Sequence, residues 1–394
     1  MLKDIKKGKI VSIFSGIDCL GLGFREYFDT VLAVEQMKKA CETLELNKEM
    51  FHPNMKVVNQ NIFEIKDEFI KKYYGVDGLI GGPPCQPFSC AKNQFDPNDE
   101  RISGLAEYVR WVRIIKPKFF LFENTDGLTT KNKKHILDSL VEQLENLNYT
   151  VYQNVLNSHD YGSAQKRKRV ILVGFRKALT LKSSYNFPKP IPMSNRKYVK
   201  DIIVPGEEIG ECLKYSEERK FIVSHIPEGG NWKNITDPDL LKRAMGANAT
   251  KIEGGMTGAY RRLSMKEGYC CPTITTNPCQ RNTMAIHPTE DRPLSVKEYM
   301  RAQGIPLDYK LIGSINDKYK FIGNGVPVEM ASALARSISE FYTSVKCTKS
   351  LPKAVTISNQ ESIAASIVVK TNVIKKESLN IELDTNVTQL SFFG

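Results

Sequence analysis

Cys85 stands among prolines in the run Gly81-Gly-Pro-Pro-Cys-Gln-Pro-Phe-Ser89. Proline fixes its own backbone and restricts the residue before it, so this thiol rides on a loop with little freedom. That placement suits a nucleophile that must hold one position. It suits a core cysteine poorly, because core cysteines sit among aliphatic side chains. A nucleophile also needs partners. Glu123-Asn124 closes the apolar run Lys118 to Phe122, where a carboxylate is held in a cleft rather than on a solvated helix. Gln165-Lys-Arg-Lys-Arg169 leads into the apolar run Val170 to Phe175. Arginines at alternate positions, Arg167 and Arg169, fall on one face of an extended segment. Taken alone, that run reads as a generic basic patch.

Phe14-Ser-Gly-Ile-Asp-Cys-Leu-Gly-Leu-Gly-Phe24 is a glycine-containing strand-to-helix turn, which lets a ligand approach the backbone closely. Such turns also serve tight packing. Glu35, at the end of the next apolar run, adds a group able to accept hydrogen bonds from two ribose hydroxyls, and the pair points to a nucleoside. The chain carries no P-loop lysine motif, which disfavours a nucleoside triphosphate.

These residues need a frame. Short β-branched runs at Lys9–Phe14, Thr30–Val34, Met55–Val58, Gly78–Gly81, Lys118–Phe122, Thr150–Leu156 and Arg169–Phe175 predict strands. Helical stretches are predicted through Phe24–Phe28 and over Lys38–Asn47, Glu107–Ile115 and His135–Leu147. Repeated β-α units imply an α/β fold with a doubly wound, mainly parallel sheet, whose ligands sit beyond the carboxyl ends of its strands. The rhythm fades from about Ala178 to Glu290, which predicts a second domain with little regular structure. Helices return over Ser295–Gln303 and Glu329–Tyr342, and the polar stretch beyond Val345 reads as a loose tail or a small β appendage.

The 394 residues allow two or three domains. No apolar run approaches the ~20 residues of a membrane helix, and the lysine-rich start leads into no secretory signal. Nine scattered cysteines do not make a disulfide framework. A reducing cytoplasm is expected, and the net charge of +12 is compatible with a polyanionic partner. Cys90 reads as part of the Cys85 loop. Cys270, Cys271 and Cys279 lack zinc spacing, and His52, His135, His159, His225 and His287 form no ligand pattern, so no metal is expected.

Phe14 to Phe24, Gly81 to Ser89, Glu123-Asn124, Gln165 to Arg169 and Gly323-Asn-Gly-Val326 stand in the order typical of DNA cytosine-5 methyltransferases. The chain resembles that family over about 9–175 and 291–345. The resemblance implies a Rossmann-like domain dependent on S-adenosyl-L-methionine and a smaller, irregular target-recognition domain. The boundaries expected are 1–177 for the catalytic and cofactor-binding part, completed by 318–345, then 178–317 for recognition and hinge, and 346–394 for the tail. The same resemblance implies that Cys85, as thiolate, adds to C6 of a cytosine flipped out of the duplex. Glu123 would hydrogen-bond N3 and the exocyclic amine. Arg167, with Gln165 and Arg169, would support the base carbonyl, its phosphate or the loop holding Cys85.

For the cofactor, the resemblance implies Phe14 against the adenine, Gly16 beside the methionine moiety and Glu35 on the ribose. Asn61, Ile62, Pro84, Leu105, Asn324 and Val326 would complete the site. Asn61 replaces the family's usual aspartate, and Asp18-Cys19 replaces two glycines. Asp18 is expected to meet the cofactor's amino group.

Double-stranded DNA is the expected partner, bound by a monomer in the cytoplasm at the nucleoid, with no membrane contact. The segments Gly254–Arg262 and Thr273–Arg281 combine hydroxyls, amides and arginines suited to base edges and phosphates. Arg261, Arg262, Thr275, Thr276, Gln280 and Arg281, with Ser89 from the cysteine loop, are the expected contacts. Arg292 resembles the arginine that opens the family's penultimate motif and organises the recognition domain. A tRNA methyltransferase of this family would carry a Cys-Phe-Thr signature, which is absent. A non-enzymatic scaffold would have lost Cys85, Glu123 or Arg167, and all three are present. The expected setting is restriction-modification or orphan host methylation. Gln389-Leu-Ser-Phe-Phe393 resembles a sliding-clamp peptide, in which Leu390, Phe392 and Phe393 would enter an apolar pocket and Gln389 would fix register.

Overall fold

The computed structural model describes residues 7–84, 100–181, 183–245, 259–280 and 283–347. Cys85, Ser89, Cys90, Arg281 and the clamp-like Gln389, Leu390, Phe392 and Phe393 lie outside the described residues.

The first apolar run is a strand, β1 (Gly8–Ile13), whose last four residues are buried, as an interior parallel strand requires. There follow α1 (Cys19–Phe24), β2 (Phe28–Glu35), α2 (Lys38–Phe51), β3 (Lys56–Asn59), α3 (Asp67–Lys71) and β4 (Gly78–Gly81). Then come α4 (Glu100–Ile115), β5 (Phe119–Thr125), α5 (Lys134–Asn146), β6 (Tyr149–Asn157), β7 (Gln165–Lys166) and β8 (Lys168–Arg176). One seven-stranded sheet results, in the order β3-β2-β1-β4-β5-β8-β6. Its first five strands are parallel, and β8 runs antiparallel to β5 and β6. The sheet is therefore mainly parallel, as expected, with one reversal. Only the ten residues 158–167 separate β6 from β8, fewer than a helical crossover needs, so the chain turns straight back.

Alternate strand residues feed two cores. Val11, Ile13, Phe120 and Phe122 pack with Tyr108, Trp111 and Ile115 of α4 and with Leu137, Leu140 and Leu144 of α5. Ile10, Phe119, Leu121 and Val173 pack with Phe24, Phe28 and a long late helix. The helix predicted through Phe28 stops at Phe24 instead. Phe28 is buried against the Phe119 ring at 5.1 Å between centroids, and it serves the core as the first residue of β2.

The rest of the described chain is more regular than its composition suggests. It holds α6 (Lys177–Thr180), α7 (Val199–Ile202), α8 (Glu217–Ser224), α9 (Pro238–Met245) and the two-residue strands β9 (Arg261–Arg262), β10 (Cys271–Pro272) and β11 (Ala285–Ile286). Next come α10 (Val296–Gln303), α11 (Ile315–Asn324) and α12 (Val328–Cys347). Tyr215, Val223, Trp232, Leu240, Tyr260 and Ile286 form a separate small core. Met330, Leu334 and Ile338 of α12 return to the sheet. Among the described residues, no helix is long and apolar enough to cross a membrane.

Candidate active site

A cavity of about 870 Å³ opens beyond the carboxyl ends of β1, β2, β4 and β5, closed from the far side by α11 and residues 276–277. Its volume is within the range of small-molecule sites.

At one end the floor is the turn after β1. Phe14 and Gly16 both take left-handed backbone, with φ of 53° and 55°. A Cβ on Gly16 would meet nothing within 4 Å, so glycine both permits the turn and leaves the space open. Gly16 N donates to Glu35 Oε2 at 2.8 Å, and Met37 N donates to Glu35 Oε1 at 2.8 Å. A carboxylate offers about four lone-pair sites, so the two left after these bonds can accept two hydroxyls. Asn61 Oδ1 accepts from Phe63 N at 3.2 Å and opens a short 3₁₀ turn that brings Ile62 and Phe63 to the wall. Gly16, Glu35 and the open floor fit the sugar and amino-acid parts of S-adenosylmethionine, and Phe14, Ile62 and Phe63 offer apolar surface for its adenine.

At the other end lie the groups expected to handle a base. Arg169 Nε pairs with Glu123 Oε1 at 2.8 Å, both side chains nearly buried. Asn124 Nδ2 donates to Pro83 O at 3.1 Å, tying the proline loop to β5. A Cβ on Gly82 would fall 2.6 Å from Glu123 Oε2, so this loop passes directly over the carboxylate. Arg167 donates through Nη1 to Ile274 O at 3.1 Å and through Nη2 to Gly323 O at 2.8 Å, while its buried Nε has no partner. Burial and then the neighbouring Arg169 bring the Arg167 pKa down to about 9, against the opposing pull of Glu123. The guanidinium stays charged at neutral pH.

The structure thus brings Phe14, Gly16, Glu35, Asn61, Ile62, Pro84, Glu123, Arg167, Arg169, Thr276 and Asn324 to one cavity. Five of the expected residues stand away from the cavity wall. Asp18 is buried beneath the turn, capping α1: its Oδ1 accepts from Ser12 Oγ at 2.7 Å and Gly21 N at 3.2 Å. It therefore does not line the cavity. Leu105 and Val326 belong to the cores on either side of the sheet rather than to the cavity wall. Gln165 is spent inside the protein on Ala302, Gln303 and Ile274. Arg262 is 5% exposed. It donates to Ile226 O at 2.7 Å, Val223 O at 2.7 Å, His287 O at 3.2 Å and Glu290 O at 3.0 Å, and pairs with Asp291. It cross-links a region that lacks long strands, with its guanidinium spent on those bonds.

Of the other expected DNA contacts, Thr276 and Gln280 are exposed and Arg261 is half-buried. The Thr275 hydroxyl bonds Asn277 O at 3.1 Å and Thr283 Oγ1 at 3.3 Å. Arg292 grips Glu298 with two bonds, of 2.8 and 3.0 Å, and fixes the start of α10. Sequence reasoning missed Asn277, Asn316, Lys320, Phe321 and Phe63 as lining residues. A signal for α11 was present in Ser314 and Asp317, which form a capping box.

The C-5 cytosine-specific DNA methylase family matches residues 8–340 of the chain. The type II methyltransferase M.PspPI of Psychrobacter sp. (strain TA137) is 36% identical over 337 residues, 84% of this chain and 78% of that protein. The type II methyltransferase M.Sau96I of Staphylococcus aureus is 32% identical over 349 residues, 86% and 78% of the two chains. Among solved structures, the Entamoeba histolytica methyltransferase EhMeth superposes with a TM-score of 0.61 at 14% identity, covering 85% of this chain and 98% of that one. That likeness bears on the fold, which is the Rossmann-like methyltransferase architecture. The cavity's chemistry and the family match agree, and the chain belongs to the C-5 cytosine-specific DNA methylases as a DNA (cytosine-5-)-methyltransferase.

Proposed function

We propose that this methyltransferase modifies C5 of cytosine at one short sequence in double-stranded DNA, through a flipped base and a covalent bond from Cys85 to C6, in a restriction-modification or orphan setting. The observation that carries the reading is the juxtaposition, in one cavity, of the Gly16–Glu35 cradle with the Glu123–Arg169 pair and Arg167.

Cytosine C5 is a weak nucleophile, so the ring must be activated first. Cys85 gives its thiol proton to solvent and adds to C6 as thiolate, while the π electrons of the 5,6 bond shift towards N3, which takes up a proton from solvent. The Glu123 carboxylate accepts from that N3–H and from the exocyclic amine and so holds the activated ring. The Arg169 bond at Oε1 keeps the carboxylate oriented and leaves Oε2 beside the loop. Arg167 sits charged in the wall and braces Ile274 and Gly323. Asn124 holds Pro83, and through it the entry to Cys85. Phe14, Gly16 and Glu35 would hold S-adenosylmethionine, which supplies an electrophilic methyl group when bound. As C5 gains the methyl, N3 releases its proton to solvent; the C5 proton then leaves to solvent or a nearby base, and its bonding electrons re-form the 5,6 bond and expel the Cys85 thiolate. A cytosine stacked in a duplex exposes neither face to such groups, and flipping it out costs a few kcal/mol.

Bisulfite sequencing of DNA from cells expressing the chain tests this function. Protection of cytosine at one recurrent short sequence is expected; unmodified DNA, or modification without sequence preference, would contradict it.

A further inference from the structure

Gln165 in β7 and Gln303 at the end of α10 are both fully buried, and the polar atoms of both amides are all engaged. Gln165 Nε2 donates to Ala302 O at 2.8 Å and to Gln303 Oε1, and its Oε1 accepts from Ile274 N at 3.2 Å. Gln303 Nε2 donates to Ile322 O at 2.9 Å and to Gly325 O. Two side chains therefore join four separate segments: the strand leading to Arg167, the stretch at Ile274, the end of α10, and the last turn of α11. Arg167 spans the same junction through Ile274 O and Gly323 O. The junction is tight. A Cβ on Gly323 would lie 2.5 Å from Thr275 O and 2.7 Å from Thr276 N, so only glycine lets α11 meet this backbone.

What lies on either side gives the junction its meaning. Thr276 and Asn277 follow Ile274 and are exposed on the cavity wall; Lys320, Phe321 and Asn324 of the adjoining α11 line the cavity beside them. Neither glutamine lines the cavity. Any effect they have on the reaction passes through what they hold.

We propose that Gln165 and Gln303 are positioning residues, an amide latch that holds the Ile274–Asn277 segment against Arg167 and α11 so that an arriving cytosine meets an assembled site. This rests on the function proposed above, because it takes 274–277 to be a DNA-facing segment. A fully satisfied buried network has one good arrangement, and the alternatives leave polar groups unpaired. Reactions that depend on near-attack geometry lose about 100-fold for a misplacement of ~1 Å.

The test is Gln303→Glu and Gln165→Glu in the full chain. Each keeps the side-chain shape but turns donors that face carbonyl oxygens into acceptors. The expected result is a loss of about 100-fold in kcat/KM for duplex DNA, with cofactor affinity of the DNA-free protein within about threefold of wild type. Part of the loss should return as pH falls from about 8 to about 6, where a buried introduced carboxyl takes up a proton and donates again. Wild-type kcat/KM in both variants would overturn the latch while leaving the proposed function standing. So would an equal fall in cofactor affinity, or a loss accounted for by unfolding at the assay temperature in a melting curve. A wild-type protein that does not methylate DNA in the same assay overturns the function, and the latch with it.

Discussion

The two ends of the cavity are built by different means. The cofactor end is local: Gly16, Glu35 and Met37 belong to one β-α-β unit, and two backbone N–H groups hold the carboxylate from within it. The base end is assembled from afar. Arg167 bonds Ile274 and Gly323, separated from it by 107 and 156 residues, and Gln165 reaches Gln303 across 138. Buried backbone carbonyls must be paired, and a region poor in long strands and helices pairs them with side chains. Arginines and glutamines that look made for DNA are thus consumed as cross-links, whereas a glutamate at a strand end remains free to bind a ligand.

That contrast can be broken at several points. The largest expected effect is at Glu123. Glu123→Gln should lower kcat by about 10³-fold, since it removes both the charge that answers the ring and the anchor on Arg169. Duplex affinity in a gel-shift titration should change far less. Next is Arg262. If it is a cross-link, Arg262→Lys loses several buried hydrogen bonds and should cost about 3 kcal/mol in denaturant unfolding. Wild-type stability with a DNA-binding salt slope lower by about one would instead identify a phosphate contact. Glu35→Ala removes acceptors for two hydroxyls and should weaken cofactor binding by about 10-fold or more in calorimetry, with duplex affinity unchanged.

The smallest effect concerns Asp18 and His52, whose Oδ2 and Nε2 face each other at 3.8 Å beneath the cofactor turn. Burial pushes the Asp18 pKa up to about 7 and the His52 pKa down to about 4. The raised carboxyl gives stability that is present at low pH and lost as pH rises towards 7. The depressed imidazole gives stability present above its unfolded pKa of 6.5 and lost as pH falls towards 4. The two slopes oppose each other between about pH 4 and 6.5. Asp18→Asn keeps the cap acceptor and removes one slope, so its melting point should drop more from pH 7 to pH 5 than the wild type's. An equal drop would show that Asp18 does not titrate in this window.

Much of the frame was legible. Gly78–Gly81 is a strand with the bounds read from its pattern, and Glu35 and Glu123 line the cavity at the carboxyl ends of their strands, where such sheets hold ligands; Arg169 reaches the same cavity from the amino end of β8 only because that strand is reversed. What escaped was set by non-local packing. The reversal of β8 follows from a short connection, and the end of α1 from the burial of Phe28. Asp18, expected at the cofactor's amino group, is the buried cap of α1, a role its side chain alone did not signal. Arg262 and Gln165 carry side chains equally suited to DNA and to orphaned carbonyls, and only the folded chain shows which they meet.

The proposed reaction requires the Cys85 thiol to act together with Glu123 and Arg169. Its most direct test is incubation of the protein and cofactor with a duplex carrying 5-fluorocytosine at the target position, followed by denaturing electrophoresis and mass measurement. Fluorine cannot leave C5 as a proton does, so the wild type should remain covalently joined to the methylated duplex. Cys85→Ser should form no adduct and transfer no methyl group while still binding S-adenosylmethionine. An adduct with the serine variant, or none with the wild type on DNA that it methylates, would contradict it.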